Sequence, residues 1–160
     1  MNLACVALGS NIDQPRLRIE RAVDALAALP HSWLVARSHD YATPPWGVTD
    51  QPDFVNAVVT LETELGPHEL LRALFAIERE QGRRREGPRW GPRTLDLDLL
   101  LHGDRMIDDG MLVLPHPRMV ERAFVLLPLA EIAPDLVVPG HARVSELLAR
   151  VDTMGCQRLD

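Results

Sequence analysis

The clearest strand in the sequence is Leu95–Leu101, which reads LDLDLLL. Alternate side chains of a strand point to opposite faces of its sheet, so the leucines on either side of Asp96 and Asp98 share the core face. The two aspartates share the other face, with α-carbons about 7 Å apart. The pattern therefore predicts a strand with one packed face and one acidic face.

Strand and helix signals alternate along the rest of the chain. Strands are predicted over 2–8, 33–41, 54–63 and 95–101, and helices over 15–29, 67–81, 123–132 and 144–151. The order β-α-β-β-α-β with additional helices is typical of a mostly antiparallel sheet with helices packed on it. We expect an α+β fold, a ferredoxin-like α/β sandwich, in a single domain over 1–160.

Composition narrows the classes of protein that fit. The chain has 160 residues, 46% of them hydrophobic and 25% charged, as in an ordinary globular domain. All 17 basic residues are arginine. Without lysine, the chain has no Walker A loop, no protein-kinase lysine and no Schiff-base chemistry. Arginine still grips phosphate oxygens through its planar fork.

Charge and cysteine content suggest a compartment and limit the partners. The net charge of −6 argues against a general nucleic-acid binder. Cys5 and Cys156 form neither a disulfide framework nor a zinc-ligand spacing. The apolar run 3–8 is too short for a signal peptide or a membrane span. We expect a cytoplasmic protein that contacts neither nucleic acid nor membrane.

The two aspartates on one strand face predict a metal site. At their separation they repel by roughly 2 kcal/mol at an effective dielectric near 20, and a cation between them would reverse that sign. Oxygen-only ligands favour magnesium, which also binds substrate phosphates. The alternative is a solvated strand face that carries two acids by chance.

A cluster of arginines precedes the acidic strand. Arg83, Arg84, Arg85, Arg89 and Arg93 fall among glycines and prolines that prevent a helix. The loop is either a solvated basic segment, a small RNA contact or a clamp for a polyphosphate. Because it joins the acidic strand directly, the combination favours a nucleoside triphosphate with a divalent metal.

A second substrate is suggested by aromatic residues. Phe54 and Asn56 share a strand face, and a flat heterocycle could stack on Phe54 and Phe124 while the amide reads its edge. Core packing explains each aromatic equally well when it is taken singly. His116 lies between two prolines and is either a phosphate contact or a turn residue with a backbone partner.

Several segments together resemble the 6-hydroxymethyl-7,8-dihydropterin pyrophosphokinase (HPPK) family. The longest is Arg89–Leu100 (RWGPRTLDLDLL). The others are Ala7–Asn11 (ALGSN), Tyr41–Pro45 (YATPP), Gln51–Ala57 (QPDFVNA) and Leu114–Met119 (LPHPRM). The resemblance covers nearly the whole chain. It implies transfer of diphosphate from ATP to the hydroxymethyl group of the pterin, releasing AMP, in folate biosynthesis.

The resemblance also implies roles for individual residues. Two magnesium ions would be held by Asp96 and Asp98, with ATP as co-substrate. The residues implied for the pterin are Thr43, Pro44, Trp46, Phe54, Asn56, Asp96 and Phe124. Those implied for ATP are Glu78, Arg83, Arg85, Trp90, Arg93, Leu99, His116 and Arg122. Arg83 and Arg93 would join the two aspartates in catalysis, and we expect a monomer.

Two other classes of function remain open from sequence alone. An RNA-binding module would explain the aromatics and the arginines, although paired aspartates on the same surface would repel phosphate. A regulatory domain that binds nucleotide without turnover would explain all the same residues. Formation of AMP from ATP, magnesium and the pterin would exclude both.

Overall fold

The computed structural model describes residues 1–45, 50–81 and 95–160. Eight strands and four α-helices occur in these ranges. The strands are β1 (Asn2–Ser10), β2 (Ser32–Arg37), β3 (Asp40–Thr43), β4 (Phe54–Thr63), β5 (Asp96–His102), β6 (Ile107–Asp108), β7 (Val113–Leu114) and β8 (Gln157–Leu159). The helices are α1 (Pro15–Ala27), α2 (Pro67–Glu80), α3 (Ala123–Ile132) and α4 (Val144–Leu148).

Six strands form one antiparallel sheet in the order β5-β1-β4-β3-β8, with β2 also paired to β4. β2 and β3 pair with successive parts of β4, so together they occupy one position of the sheet. The strands are therefore arranged as in a ferredoxin-like sandwich, and the predicted α+β fold is confirmed. β6 and β7 form a separate hairpin.

One face of the sheet is covered by α1 and α2. Each helix begins with a proline in its first turn, where the missing N–H costs no helical hydrogen bond. Apolar residues at helical spacing, such as Ile19 and Leu26 in α1 and Leu70 and Leu74 in α2, are fully buried. They pack against Leu97 and Leu99 in one core cluster. The predicted packed face of β5 is confirmed.

The opposite face is covered by α3 and α4. Val125, Leu126 and Leu129 of α3 form a second core cluster that includes Leu100 and Leu101 of β5. These neighbouring leucines share a cluster because the β1–β5 register shifts between Cys5 and Val6. The second cluster does not include the beginning of β5, where the same face carries Asp96 and Asp98.

The predicted strand over 33–41 is two strands, β2 and β3, and this part of the prediction is wrong. Ser38 separates them: its backbone N–H donates to the Val58 carbonyl at 2.9 Å, and its Oγ accepts the Val58 N–H at 2.9 Å. A side-chain oxygen thus replaces one backbone acceptor of the ladder. The break lets β3 pair with Phe54–Asn56 and reach the end of β4.

Other differences concern short elements. β8 and the β6–β7 hairpin were not predicted, because two or three residues are too few to show a periodicity. β1 continues through Ser10, beyond the predicted end at residue 8. The last helix ends at Leu148 rather than at 151. None of the helices in the described ranges has both the length and the apolar character needed to cross a membrane.

Candidate active site

The candidate site lies at one end of the sheet, on the face that α3 covers. Here the last residues of β1 lie between the first residues of β4 and β5. The register places Gly9 opposite both Asn56 and Asp96, and places Ala7 opposite both Val58 and Asp98. Residues opposite one another across a sheet share a face. Two small residues therefore separate the acidic strand from Asn56, so no large side chain lies between them on this face, and we call this strip of the sheet the trough.

Gly9 lies directly beneath the side-chain amide of Asn56. A Cβ atom at position 9 would lie 2.8 Å from Oδ1 of Asn56, closer than such atoms normally approach. Glycine inside a strand commonly marks a close approach of another group, and this was the sequence signal for the position. Sequence reasoning gave Gly9 no role beyond its place in the ALGSN segment and missed its position between Asn56 and Asp96.

Asn56 is held in a fixed orientation. Its Nδ2 donates to Thr43 Oγ1 at 2.6 Å, and both residues are buried. Thr43 is the last residue of β3 and lies opposite Phe54 in the register, so three of the expected pterin contacts meet at one corner of the sheet. Pro44 follows directly, and its Cγ lies 2.8 Å from the position that a Cβ of Gly155 would take. The segment before β8 thus supports this corner.

The acidic strand faces a histidine from a distant loop. His116 Nε2 lies 4.0 Å from Oδ1 of Asp98, whose side chain is 38% exposed. Burial lowers the pKa of His116 to about 4, and the charge of Arg122 adds to this effect. The ring is therefore neutral at pH 7. Its Nδ1 accepts the Arg118 N–H at 3.3 Å, which places the proton on Nε2, the nitrogen nearer Asp98.

Arg122 connects the acidic face with Phe124. It is buried, and its Cζ lies 5.4 Å from the centroid of the Phe124 ring. Burial lowers the pKa of the guanidinium, while the charges of Asp98 and Asp96 act in the opposite direction. Among the described residues, its Nε has no hydrogen-bond partner. The side chain is thus a buried cation next to two carboxylates and an aromatic ring.

Two of the expected ATP contacts lie elsewhere. The Leu99 side chain is 3% exposed and packs in the α1–α2 core, on the opposite face from Asp98. Glu78 is buried on α2, and its Oε2 accepts the Leu97 N–H at 2.8 Å. This bond ties α2 to the outer edge of β5. The side chains of Leu99 and Glu78 therefore do not share the face of the aspartates, and their roles toward ATP stay predictions.

The remaining expected contacts fall on residues outside the described ranges. These are Trp46, Arg83, Arg85, Trp90 and Arg93. The other acidic, amide, aromatic and basic residues of the prediction converge on one end of one sheet face. Among the described residues, no group of three or more histidine, cysteine, aspartate or glutamate side chains could by itself hold a metal ion.

Fold and site together define an antiparallel α+β sandwich with two aspartates and an amide on one face at one end of its sheet. The family model for 7,8-dihydro-6-hydroxymethylpterin-pyrophosphokinase (HPPK) matches residues 5–134. The chain belongs to this family. It is therefore a transferase of folate biosynthesis, and the reaction expected from the sequence is the one for which the family is named.

Relatives of similar length carry the same enzyme name. The 2-amino-4-hydroxy-6-hydroxymethyldihydropteridine pyrophosphokinase of Methylorubrum extorquens is 51% identical over 160 residues and covers all of both chains. The enzyme of the same name from Pseudomonas aeruginosa is 53% identical over 154 residues, covering 96% of this chain and 94% of the relative. At this level of identity and coverage the family assignment does not depend on a single motif.

The fold also matches solved structures. The Plasmodium falciparum HPPK-DHPS protein with pteroate has a TM-score of 0.72 at 15% identity. The match covers 93% of this chain and 42% of that one, so this chain spans less than half the length of the solved protein. Agreement at such low identity concerns the fold alone.

Proposed function

We propose that the trough between β4 and β5 is where this chain transfers diphosphate from ATP to 6-hydroxymethyl-7,8-dihydropterin. The observation that carries the proposal is the common face of Asp96, Asp98 and Asn56, with only Gly9 and Ala7 between them. The carboxylates suit a metal–phosphate group, and the amide suits the edge of a heterocycle. The pterin and the ATP phosphates would then lie on either side of β1.

The pterin is assigned to the corner at Asn56. The bond to Thr43 leaves one Nδ2 hydrogen and the Oδ1 acceptor of Asn56 for a ligand. Because Gly9 has no side chain, the Asn56 amide lies close against β1, and the proposal places the ring beside that amide. Phe54 and Phe124 are both half-buried and supply the apolar surface for stacking. Pro44 and Trp46 complete this site in the proposal.

The phosphates are assigned to the end of the trough near β5. His116 is neutral and carries its proton on Nε2, so it can donate to a phosphate oxygen without holding a charge. Arg122 supplies a cation that burial has already largely removed from water. The proposal adds Arg83, Arg85, Trp90 and Arg93 from the loop before β5, and Glu78 and Leu99 near the nucleotide base.

Magnesium is the metal that the donor set favours. Asp96 and Asp98 are half-buried, offer only oxygen and lie on one face. A pair of carboxylates leaves positions for water and for substrate phosphates, which is the usual magnesium arrangement in phosphoryl transfer. We assign two ions to this pair. When bound, they supply charge neutralisation on the phosphates and acidify the attacking hydroxyl.

The chain's own contribution to the reaction is positioning. The hydroxymethyl oxygen of the pterin attacks the β-phosphorus of ATP. A new P–O bond forms, the bond to AMP breaks, and the hydroxyl proton is released to solvent. Asn56 and the aromatic residues orient the pterin, while His116 and Arg122 hold phosphate oxygens. We assign no general base. Covering of the trough matters because water would otherwise accept the diphosphate.

The experiment that tests the proposal is a turnover assay with ATP, magnesium and the pterin, following AMP. We expect Asp98→Asn to keep the fold, because the new side chain has the same shape, and to lower kcat at least about a hundredfold through loss of transition-state electrostatics. Asp108→Asn, a change of an exposed acid in β6, is the matched control. Normal turnover by Asp98→Asn at saturating magnesium would exclude the site.

We further propose that the enzyme works as a monomer in the cytoplasm. Cys5 and Cys156 are both free thiols, as is usual in a reducing compartment. Light scattering at working concentration tests the first statement and cell fractionation the second.

A further inference from the structure

A network of hydrogen bonds joins α3 to β3 and β8 behind the candidate pterin site. Glu131, near the end of α3, is its centre. Its Oε1 accepts the Tyr41 hydroxyl at 2.8 Å, and Oε2 meets His39 Nδ1 at 2.8 Å. Both oxygens also lie 3.1 Å from the His39 backbone nitrogen. Arg158 Nη2 of β8 lies 3.0 Å from His39 Nε2.

The protonation states in this network fit together. Because Arg158 is always a donor, His39 Nε2 accepts from it, and the His39 proton lies on Nδ1, where it is donated to Glu131. Burial raises the pKa of Tyr41 to about 12, and Glu131 adds to this effect, so the phenol stays a donor. Burial opposes ionisation of Glu131, but the bonds from His39 and Tyr41 prevail and lower its pKa. All partners donate toward one carboxylate.

The network lies on the same two elements as the proposed pterin contacts, namely β3 of the sheet and α3. On the sheet, Tyr41 lies opposite Asn56 in the register, and Thr43 follows two residues later on the same face. On the helix, Phe124 precedes Glu131 by seven residues, which is about two turns, so both side chains lie on the same side of α3. Glu131 thus fixes α3 against the strand that holds Asn56 and Thr43.

We infer that Glu131 is a positioning residue for the pterin: by holding α3 to β3, it sets the gap between Phe124 and the Asn56–Thr43 corner. The inference rests on the proposed assignment of that corner to the pterin. A flat ring needs a gap of fixed width, and small displacements of a stacking wall weaken binding strongly. His116 and Asp98, at the nucleotide end of the site, come from other elements, and among the described phosphate contacts only Arg122 adjoins α3.

The test compares the affinities of the two ligands in Glu131 variants. We expect Glu131→Ala to raise the Kd for the pterin about tenfold or more, measured by calorimetry with a non-hydrolysable ATP analogue and magnesium present. The Kd for the analogue alone should change much less than the pterin Kd, because only Arg122 among the described phosphate contacts adjoins α3. Glu131→Gln keeps an acceptor for Tyr41 and should recover part of the pterin affinity.

The matched control is Asp109→Asn. Asp109 accepts from His68 at 2.6 Å and from two backbone N–H groups, a comparable cluster that lies in the β6–β7 turn. We expect Asp109→Asn to lower the free energy of unfolding without changing the Kd for the pterin or the Kd for the ATP analogue. Two results would exclude the positioning role. In the first, Glu131→Ala lowers stability as the control does and leaves the pterin Kd unchanged. In the second, Glu131→Ala raises the Kd values for the pterin and for the analogue equally.

Two further variants keep the outcomes separate. Tyr41→Phe removes one hydroxyl from the network and should raise the pterin Kd severalfold. If Glu131→Ala does not fold, an unchanged pterin Kd in Tyr41→Phe overturns the inference.

Asn56→Ala tests the assignment of the pterin to the Asn56–Thr43 corner. If Asn56→Ala leaves pterin binding intact, the assignment of the corner is wrong. If it abolishes binding while the Glu131 and Tyr41 variants bind normally, only the positioning role fails.

Discussion

At the scale of single residues, Gly9 determines what the trough can accept. The position opposite both Asn56 and Asp96 carries no side chain, and the Asn56 amide lies close over it. Every larger residue would push against Oδ1 of Asn56, whose amide is already held by Thr43. Glycine at position 9 therefore lets the Asn56 amide keep the orientation that its bond to Thr43 fixes.

We predict that Gly9→Ala weakens pterin binding at least about tenfold, because the methyl group must displace the Asn56 amide and break its bond to Thr43. Affinity for the ATP analogue should change little. Gly66→Ala is the control, since a Cβ there meets Glu69 Oε1 at an ordinary 3.4 Å. Calorimetric titration with each ligand checks the prediction, and unchanged pterin affinity in Gly9→Ala would contradict it.

His116 makes the free enzyme sensitive to acid. Its pKa falls from the ordinary 6.5 to about 4 in the folded state, so the unfolded chain takes up a proton first as the pH drops. The contribution to stability is complete above pH 6.5 and is lost as the pH falls toward 4. At pH 5 the loss amounts to about 2 kcal/mol.

We therefore expect the free energy of unfolding to fall more between pH 7 and pH 5 in wild type than in His116→Gln, by about 2 kcal/mol. Urea unfolding without magnesium or nucleotide measures both proteins. His141→Gln, a change of an exposed histidine, should behave like wild type. An equal fall in wild type and His116→Gln would show that the ring is not held neutral.

At the scale of elements, the acidic strand is an edge strand that the fold protects. Among the described residues, β5 pairs only with β1 within the main sheet, so its outer N–H and C=O groups need other partners; the Leu100 carbonyl accepts the His116 N–H at 2.9 Å. Glu78 of α2 accepts one of them, the Leu97 N–H, from a buried position. A helix side chain thus takes the place of a neighbouring strand and holds the strand that carries both aspartates.

Removing this contact should loosen β5. We predict that Glu78→Ala lowers the free energy of unfolding by about 1–3 kcal/mol, because a buried N–H loses its acceptor. Amide hydrogen exchange at Leu97 should accelerate. Glu80→Ala, two residues later and exposed, should leave both quantities unchanged. Normal protection of the Leu97 amide in Glu78→Ala would contradict the role of this contact.

At the scale of the whole molecule, one sheet separates two apolar layers. α1 and α2 pack on one face and α3 and α4 on the other, while β1, β4 and β5 contribute residues to both clusters. Loss of either layer exposes the strands that support the other. We therefore propose that residues 1–160 form a single cooperative unit.

Chemical denaturation should give one transition. Far-ultraviolet and near-ultraviolet circular dichroism should yield the same midpoint. Leu70→Ala in one layer and Leu126→Ala in the other should each lower both midpoints, since burial of either leucine is complete and its loss costs about 2–5 kcal/mol. Two separate transitions, or a midpoint that moves in one probe only, would contradict a single unit.

Local patterns were enough for much of the fold. The alternation in LDLDLLL predicted the packed and acidic faces of β5, and helical spacing predicted α1 and α2. The resemblance to a known family then supplied the reaction. Such patterns succeed because burial repeats with the period of a strand or a helix, and this repetition is visible within a few residues.

The sequence by itself thus determined the strand and helix order, the acidic face and the family. Only the tertiary structure placed Gly9 between Asn56 and Asp96, brought His116 to Asp98, and joined Glu131 to Tyr41 across 90 residues of chain. Register and helix docking are set by which distant surfaces bury each other, and no local period records that choice.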